Sequence, residues 1–405
     1  MRRILFTLLS FVGFIFFSQV SSAQFDSTVS LTGGLNALKI AVPFLTIAPD
    51  SRAGGMGDAG VATSPDINSQ HWNPAKFPFI ESKKWGVAFS YTPWLRNLVN
   101  DINLTYLTGY YQVDKMQAIS SSLLYFAMGE IQFTTDNPND PPVKFFNPNE
   151  FAIDIAYSRK FSDYISGAIA FRYIRSDLSG GYSQPGQASA KAGTSFAADI
   201  AMYYQHPVKL SDKFGQMAFG FNISNIGTKL SYSDDPMKDF IPINLRLGGR
   251  LTMDIDSYNS FSFTVDANKL LVPTPPVYGV VDEQTVIVKG MNPNVSVVQG
   301  MLQSFYDAPG GFKEELNEIY YATGIEYWYA RQFALRAGYF YENENKGNRK
   351  YFTVGAGLKY NIFNIDFSYL IPTGGFNSPM ANTVRFSLSF DFEATRMRGQ
   401  KVNNN

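Results

Sequence analysis

Apolar and polar residues alternate without interruption along one segment near the end of the chain, Thr383 to Phe392 (TVRFSLSFDF). Successive side chains of a β-strand point to opposite faces, so this segment would form a strand with one wholly apolar face. Arg385 and Asp391 would lie on the other face. An apolar face of this kind suits contact with lipid, and a polar face suits a barrel interior. The pattern therefore predicts a strand of a transmembrane β-barrel.

The same period of two recurs from Trp85 onward, in fourteen stretches close to the length that a tilted strand needs to cross a bilayer. Short connections alternate with long ones, as periplasmic turns alternate with extracellular loops in bacterial outer-membrane barrels. We therefore predict an all-β fold, a 14-stranded antiparallel transmembrane β-barrel with both barrel ends on the periplasmic side. The predicted strands are approximately 85–91, 102–113, 117–131, 151–157, 165–174, 194–204, 215–225, 243–254, 260–269, 320–329, 333–341, 351–360, 365–369 and 383–392.

Charged residues within these strands share a face with polar residues, while their neighbours are apolar. An Arg or Lys that faces lipid at the bilayer midplane costs about 2–4 kcal/mol, so we expect the charged face to point inward. Because both signs occur, we predict an interior filled by ion pairs and not the single-sign ring of an ion-selective pore. The residues assigned to the interior are Asp154, Arg172, Asp199, Arg246, Arg250, Asp266, Glu326, Arg336, Lys359, Asp366, Arg385 and Asp391.

The N-terminus has the features of a secretory signal peptide. Arg2 and Arg3 precede an apolar run that ends at Phe17, and small residues follow as far as Ala23, where we predict cleavage. A membrane anchor is the less favoured alternative, because the run is too short to span about 30 Å of hydrocarbon as a helix. Together with the barrel pattern, this predicts a location in the outer membrane of a Gram-negative cell.

Composition argues against several classes of function. The chain has no cysteine and a formal net charge of zero, which disfavours thiolate metal sites and nucleic acid as a partner. Its two histidines, His71 and His206, have no nucleophile or metal ligand at motif spacing. We therefore predict no enzyme activity, no cofactor and no metal. A lipid hydrolase is disfavoured in particular, because we expect no histidine on the lipid-facing side.

Residues 24–84, between the predicted signal peptide and the first strand, do not alternate. Their stretch Ala48 to Ala75 is rich in glycine and proline, which permit tight turns and close backbone approach. A phosphate-binding loop is disfavoured, because the glycines do not open a helix that carries Lys-Ser or Lys-Thr. We predict a hatch that plugs the barrel over residues 24–84, then the barrel over 85–392 and a polar tail over 393–405.

The hatch segment also resembles a known family. Its Asn-Pro-Ala motif, placed after a glycine-rich approach and before fourteen strands, is similar to the FadL-type outer-membrane proteins, in which an N-terminal hatch plugs a 14-stranded barrel. The longer phrase from Ala48 to Ala75 resembles the PorV branch of that family, which belongs to the type IX secretion system. The residues that carry the resemblance are Arg52, Gly54, Gly55, Gly57, Asp58, Gly60, Asn73, Pro74 and Ala75.

This resemblance implies a non-enzymatic shuttle protein. Its expected partners are the large translocon barrel (SprA or Sov), the C-terminal domains of secreted cargo, and a surface attachment complex that contains PorU. The wider FadL resemblance implies an alternative, an importer of hydrophobic small molecules. Import would require an apolar pocket in the barrel and a route past the hatch, which the many inward charges disfavour.

One predicted loop, Leu270 to Ile319, is far longer than the others, and loops on a rigid scaffold often carry function. Its segment Val295 to Tyr306 places apolar residues at helical spacing, and Phe312 to Ile319 suits a second short helix. Such a helix fits a partner site or a lid over the barrel mouth, and the sequence leaves both open. The candidate partner-binding residues are Val298, Met301, Leu302, Phe305, Tyr306 and Phe312.

Overall fold

The computed structural model describes residues 35–80, 83–96, 98–99, 101–134, 143–182, 189–210, 212–234, 238–281, 284–374 and 378–393. The predicted signal peptide and nearly all of the predicted polar tail lie outside these ranges. Among the described residues, no helix has both the length and the apolar character needed to cross a membrane.

Fourteen strands close into one antiparallel barrel, which confirms the predicted fold, and four further strands form two separate hairpins, β4 with β5 and β12 with β13. The strands are β1 (Lys83–Pro93), β2 (Ile102–Gln112), β3 (Gln117–Met128), β4 (Ile131–Phe133), β5 (Lys144–Phe146), β6 (Asn149–Lys160), β7 (Ile165–Asp177), β8 (Gly193–Leu210), β9 (Lys213–Gly227), β10 (Asn244–Asp254), β11 (Asn259–Leu270), β12 (Val277–Val281), β13 (Gln284–Lys289), β14 (Tyr320–Tyr329), β15 (Phe333–Tyr341), β16 (Lys350–Tyr360), β17 (Phe363–Pro372) and β18 (Val384–Glu393).

The barrel closes between its first and last strands. β1 pairs with β18 in an antiparallel register that aligns Trp85 with Phe392 and Tyr91 with Phe386. The rings of Trp85 and Phe392 stack with their centroids 3.9 Å apart. The segment whose alternation first indicated a barrel is therefore the strand that closes it.

The two faces of the barrel wall differ as the alternation predicted. In β7, for example, Ile169 and Phe171 are exposed on the outside, whereas Ala170 and Arg172 are buried on the inside. Of the twelve charged residues assigned to the interior, ten are buried, and Lys359 and Asp391 are partly exposed at an interior cavity. The prediction of an inward charged face is thus confirmed.

One connection between strands was predicted wrongly. The strand predicted over residues 194–204 was followed by a connection that included Pro207, but β8 continues to Leu210 and pairs Pro207 with Gln216 of β9. On its other side, β8 pairs with β7 only as far as Tyr204. Beyond that residue β8 is an edge strand, and an edge tolerates proline because the missing N–H group faces no partner.

Two hairpins were not predicted. β4 and β5 have three residues each, too few to show any period. β12 and β13 lie in the long loop, which we define as residues 270–319, and read VYGVV and QTVIVK. Their apolar residues are consecutive and do not alternate, so the signal for a half-buried strand is absent.

The described part of the hatch, residues 35–80, runs through the barrel from the end with long loops to the end with short turns. At the long-loop end, the N–H group of Asn36 donates to the carbonyl of Asn345, between β15 and β16, at 2.9 Å. At the short-turn end, the side chain of Gln112 donates to the carbonyl of Ile80 at 2.9 Å. The hatch contains the helices α1 (Ser51–Gly54) and α2 (Ser69–Trp72) and the 3-10 helices Pro43–Thr46 and Pro74–Phe79.

Candidate functional sites in the barrel interior and the long loop

A chain of buried ion pairs connects the hatch to the barrel wall. Arg52 of α1 donates to both carboxylate oxygens of Glu326 on β14, at 2.9 and 2.8 Å, and to Asp66 at 2.7 Å. Glu326 also accepts from Arg336 of β15 at 2.8 Å, and Arg336 pairs with Asp366 of β17 at 2.7 Å. Charges of alternating sign therefore extend from the hatch to residues of β14, β15 and β17, and each buried charge has an opposite partner.

A second ion pair involves the closing strand. Asp58 of the hatch pairs with Arg385 of β18, with 2.9 Å between Oδ1 and Nη1, and it accepts a hydrogen bond from the Tyr351 hydroxyl. Gly54 lies against the same arginine, and a Cβ atom there would come within 2.6 Å of its guanidinium. Arg385, predicted from the alternation alone to point inward, is thus a wall anchor for the hatch.

Asp266 of β11 holds the glycine-rich turn of the hatch. Its carboxylate accepts from the N–H group of Gly60 at 2.6 Å. Gly60 packs against the ring of Trp72, where a Cβ atom would overlap the indole at 2.2 Å. The Trp72 indole N–H in turn donates to Asp50 at 2.6 Å. Glycine is required at this position because the indole occupies the space that any side chain would need.

Two other hatch glycines allow backbone contact with the wall. Gly57 has a φ of 68°, and a Cβ atom there would lie 2.6 Å from the backbone nitrogen of Tyr339. Gly55 lies against Gly355 of β16, where a Cβ on either residue would be 3.1 Å from the Cα of the other. Glycine thus serves both the left-handed turn and the close approach.

The Asn-Pro-Ala motif anchors the part of the hatch that lies toward the short-turn end of the barrel. The side-chain oxygen of Asn73 accepts from the N–H group of Ala75 at 3.0 Å, and its amide donates to the carbonyl of Met202 on β8 at 2.9 Å. Pro74 occupies the first turn of the following 3-10 helix, where its missing N–H group has no partner to lose. The carbonyl of Ala75 accepts from the Ser166 hydroxyl of β7. All nine motif residues therefore lie within the hatch, where they shape it or anchor it to the wall.

A cavity of about 350 Å³ lies beside the hatch, on its short-turn side. Its lining includes Arg52, Asp66, Arg336, Asp366 and Asp391. A lining with this many charged groups does not suit a hydrophobic molecule.

A larger apolar groove, of about 700 Å³, lies on the outside of the wall. It is lined by Trp85, Leu107, Ile119, Leu123 and Ile153, whose side chains are exposed on the outward face of β1, β2, β3 and β6. Its position on the lipid-facing surface means that it offers no passage through the barrel.

The histidines occupy two different environments. His71 is buried in the hatch, and its carbonyl accepts from Arg246. His206 shares the outward face of β8 with the exposed Ile200 and Met202, so the expectation of no lipid-facing histidine was wrong. Its ring is 4.6 Å from that of Tyr164 and 6.3 Å from that of Tyr204, near the short turns. This position is typical of the aromatic residues that line a membrane interface.

Buried ion pairs also hold the long loop. It contains the helices α3 (Val297–Gln303) and α4 (Phe312–Asn317), which the sequence predicted. Lys269 of β11 pairs with Glu315 at 3.0 Å and Glu318 at 2.6 Å. Lys346, from the loop between β15 and β16, pairs with Glu314 at 2.6 Å and Glu318 at 2.9 Å. These contacts fix α4 to two separate parts of the barrel rim.

Asp307, which follows α3, connects that helix to the proline-rich start of the long loop. Its carboxylate accepts from the N–H group of Thr274 at 3.2 Å and from the Gln303 amide at 3.1 Å. Burial raises the pKa of Asp307 to about 6, and these two hydrogen bonds offset only part of that effect. This carboxyl group therefore titrates in a range that mild acidification reaches.

Helix α3 has one face toward the barrel and one away from it. Met301 packs against an interior cluster that includes Phe240 and Val272, so this candidate residue belongs to the lid side. The remaining candidate residues, which we call the loop patch, are exposed by 48–76%: Val298, Leu302, Phe305, Tyr306 and Phe312. The helix thus covers the barrel mouth and also presents an apolar surface. Helical spacing alone could not show which of these residues face inward.

The β12–β13 hairpin, which we call the ribbon, adds further exposed apolar residues to the long loop. All six residues of β13 are exposed. Both strands carry exposed large apolar residues, among them Tyr278, Val280, Val281, Ile287 and Val288. No sequence signal distinguished these residues from an ordinary loop.

Comparison with known proteins gives one family match. The model of the family described as "Type IX secretion system protein PorV" matches residues 32–277, more than half of the chain. No curated protein matches the chain.

Three solved structures are similar over most of both chains. The toluene transporter TodX of Pseudomonas putida is 11% identical, with a TM-score of 0.48 and coverage of 86% of this chain and 98% of that one. The Ralstonia pickettii toluene transporter TbuX is 12% identical, with a TM-score of 0.43 and coverage of 86% and 98%. A Pseudomonas aeruginosa FadL homologue is 12% identical, with a TM-score of 0.39 and coverage of 85% and 98%. At these values, no functional conclusion follows from them.

Proposed function

Because this chain belongs to the PorV family of type IX secretion system proteins, we propose that it is a non-enzymatic outer-membrane shuttle for secreted proteins. In this role it binds the translocon barrel and the C-terminal domain of cargo, and it passes the cargo to the PorU-containing attachment complex. The protein contacts these partners through its long loop and the outer-membrane lipid through the apolar outside of its wall.

The observation that carries this proposal is the loop patch. Several exposed large apolar side chains within one loop commonly mark a protein contact. The loop beneath the patch is held by Lys269 and Lys346 through Glu314, Glu315 and Glu318. A surface that is already ordered before binding loses less conformational entropy when a partner covers it. A pinned apolar patch therefore supports a docking role.

The interior supports a closed barrel. Arg52 and Asp58 of the hatch each pair with opposite charges on the wall, so displacing the hatch would leave buried charges without partners. A shuttle that works through its outer loops does not need the hatch to move. The filled interior and the exposed loop patch are thus consistent with a single role.

The test is co-purification with a matched control. Tagged protein is purified from outer membranes of a host that secretes cargo by this system, and the recovered translocon barrel and cargo C-terminal domain are quantified. The variant Leu302→Ser with Phe305→Ser is expected to lower recovery of the cargo domain about tenfold, since two central anchors are lost. The control Phe145→Ser changes an exposed phenylalanine of β5 and is expected to leave recovery unchanged.

Two outcomes would contradict the proposal. One is that the wild-type protein recovers neither partner although its barrel is folded, as judged by its heat-dependent mobility. The other is that the loop-patch variant and the control recover equal amounts of cargo domain. Either result would remove the loop patch as the docking surface.

The import alternative has weaker support. The cavity beside the hatch is lined by charged residues, and the large apolar groove lies outside the wall. We expect uptake of a hydrophobic compound such as toluene to be the same in cells with and without this protein. A clear loss of uptake on deletion, restored by the wild-type gene, would instead favour import.

A further inference from the structure

The ribbon stands apart from the barrel sheet. β12 and β13 pair only with each other, from Val281↔Gln284 to Val277↔Lys289, and no described residue pairs with the outer edge of either strand. An isolated two-stranded hairpin is marginally stable in water. An exposed apolar edge strand is also a template for pairing with another chain. The free edges of the ribbon are therefore suited to accept a further strand.

The base of the ribbon is fixed. The carbonyl of Pro275, just before β12, accepts from the side chain of Asn36 in the hatch at 3.2 Å. Just after β13, Gly290 has a φ of 88° and packs against Pro276. The same asparagine donates to Glu314, which is part of the lysine-pinned cluster of α4. The ribbon therefore projects from an anchored base, whose asparagine also contacts α4.

The register identifies the backbone groups that are free. Two residues link Val281 to Gln284, and the pair that flanks a two-residue hairpin loop is a hydrogen-bonded pair. Hydrogen-bonded and non-hydrogen-bonded pairs alternate along an antiparallel ladder, so Val286 also faces β12. The N–H groups of Thr285 and Ile287 consequently point away from β12, toward the open side of β13.

We propose that the open edge of β13 receives an extended strand from the C-terminal domain of secreted cargo. This inference rests on the proposed shuttle function and names the way in which cargo is recognised. Strand addition uses main-chain hydrogen bonds for affinity, so it tolerates differences in side chains between ligands. A shuttle that carries different secreted proteins would benefit from such a sequence-tolerant contact. On each face of the extended sheet, the side chains of β13 lie beside those of the added strand.

The test removes one outward N–H group. In Ile287→Pro the edge loses the donor that faces the cargo strand, whereas Ile287→Ala shortens the side chain and keeps the donor. With full-length protein and a purified cargo C-terminal domain as the probe, we expect Ile287→Pro to weaken binding about tenfold and Ile287→Ala to weaken it about threefold or less. Equal binding by the two variants would overturn the inference.

A second measurement shows that the ribbon stays folded in both variants. The chain has no cysteine, so Val280→Cys with Thr285→Cys places one pair of thiols on facing residues of the ribbon. We expect this disulfide to form equally in the Pro and Ala backgrounds, because the ladder between β12 and β13 is intact in both. Cargo binding is then compared between the oxidised, disulfide-locked forms of the Pro and Ala variants, and equal binding by these two locked proteins would also overturn the inference.

The remaining outcomes separate this inference from the proposed function. If wild-type protein does not bind the cargo domain at all, both fail. If the loop-patch variant loses binding but Ile287→Pro does not, the shuttle function stands and strand addition is wrong. A fluorophore on Ile287→Cys that reports an apolar environment in lipid vesicles without cargo would mean that the ribbon inserts into the membrane, which also contradicts strand addition.

Discussion

The hatch and the long loop are both irregular segments that buried ion pairs fix to the barrel. They differ in the exposure of their large apolar side chains. In the hatch, Arg52 and Asp58 pair with the wall and the apolar side chains around them are buried. In the long loop, Lys269 and Lys346 hold α4 in place, while the loop patch remains exposed. The first arrangement buries the side chains of the hatch against the inner wall, and the second leaves apolar side chains of the long loop exposed.

Cysteine labelling tests the direction in which the hatch runs through the barrel, and the expected difference between its two ends is reaction against no reaction. Leu35 is exposed at the long-loop end, whereas Ile80 lies at the short-turn end. In a chain without native cysteine, Leu35→Cys is expected to react with a membrane-impermeant maleimide on intact cells, and Ile80→Cys is not. Labelling of Ile80→Cys but not of Leu35→Cys would mean that the hatch runs the other way.

The largest effect on stability is expected inside the barrel. Arg52→Ala removes a bidentate partner of Glu326 and leaves Asp66 without its arginine. Because uncompensated buried charge is costly, we expect a loss of about 3 kcal/mol in the free energy of unfolding, measured by urea titration. Arg52→Lys keeps the charge and should lose less. An Arg52→Ala barrel as stable as the wild type would contradict the anchoring role.

A smaller effect is expected in the long loop. Glu318 accepts from both lysines and from the hydroxyl of Thr274. Glu318→Gln is expected to destabilise the docked loop by about 2 kcal/mol, seen as faster proteolysis of the loop with no change in barrel unfolding. The exposed Glu344 provides the control, since Glu344→Gln changes the same charge on a neighbouring loop. Equal proteolysis of both variants would argue that the ion pairs do not pin the loop.

The smallest effect is a dependence on pH. The pKa of Asp307 is raised to about 6, so its protonated form favours the docked loop, and that contribution is lost as the pH rises through about 6. Burial alone would raise the pKa of Glu314, but its hydrogen bonds with Lys346 and Gly310 outweigh that effect and lower the pKa. Glu314 therefore stays ionised throughout the range from about pH 5 to about pH 7.5. Lowering the pH from about 7.5 to about 5 should therefore stabilise the loop by no more than about 1 kcal/mol. Asp307→Asn should abolish this dependence of loop proteolysis on pH, and its persistence would exclude Asp307 as the cause.

The sequence predicted the barrel because lipid and a polar interior impose opposite demands on alternate residues. Arg385 and Asp266 could be assigned to the interior on that basis. Their partners could not, because Arg385 meets Asp58 across 327 positions of the chain, a pairing that exists only in the folded barrel. The ribbon was missed since its apolar residues are consecutive, and Met301 was grouped with the loop patch since spacing gives a helix face without its direction.

The most direct test of the shuttle account asks whether cargo covers the loop patch. Single cysteines at Phe305 and, as a control, Phe145 are placed in the otherwise cysteine-free chain, and maleimide labelling is compared with and without a purified cargo C-terminal domain. The account predicts that cargo protects Phe305→Cys and leaves Phe145→Cys reactive. Equal labelling of Phe305→Cys with and without saturating cargo would contradict it.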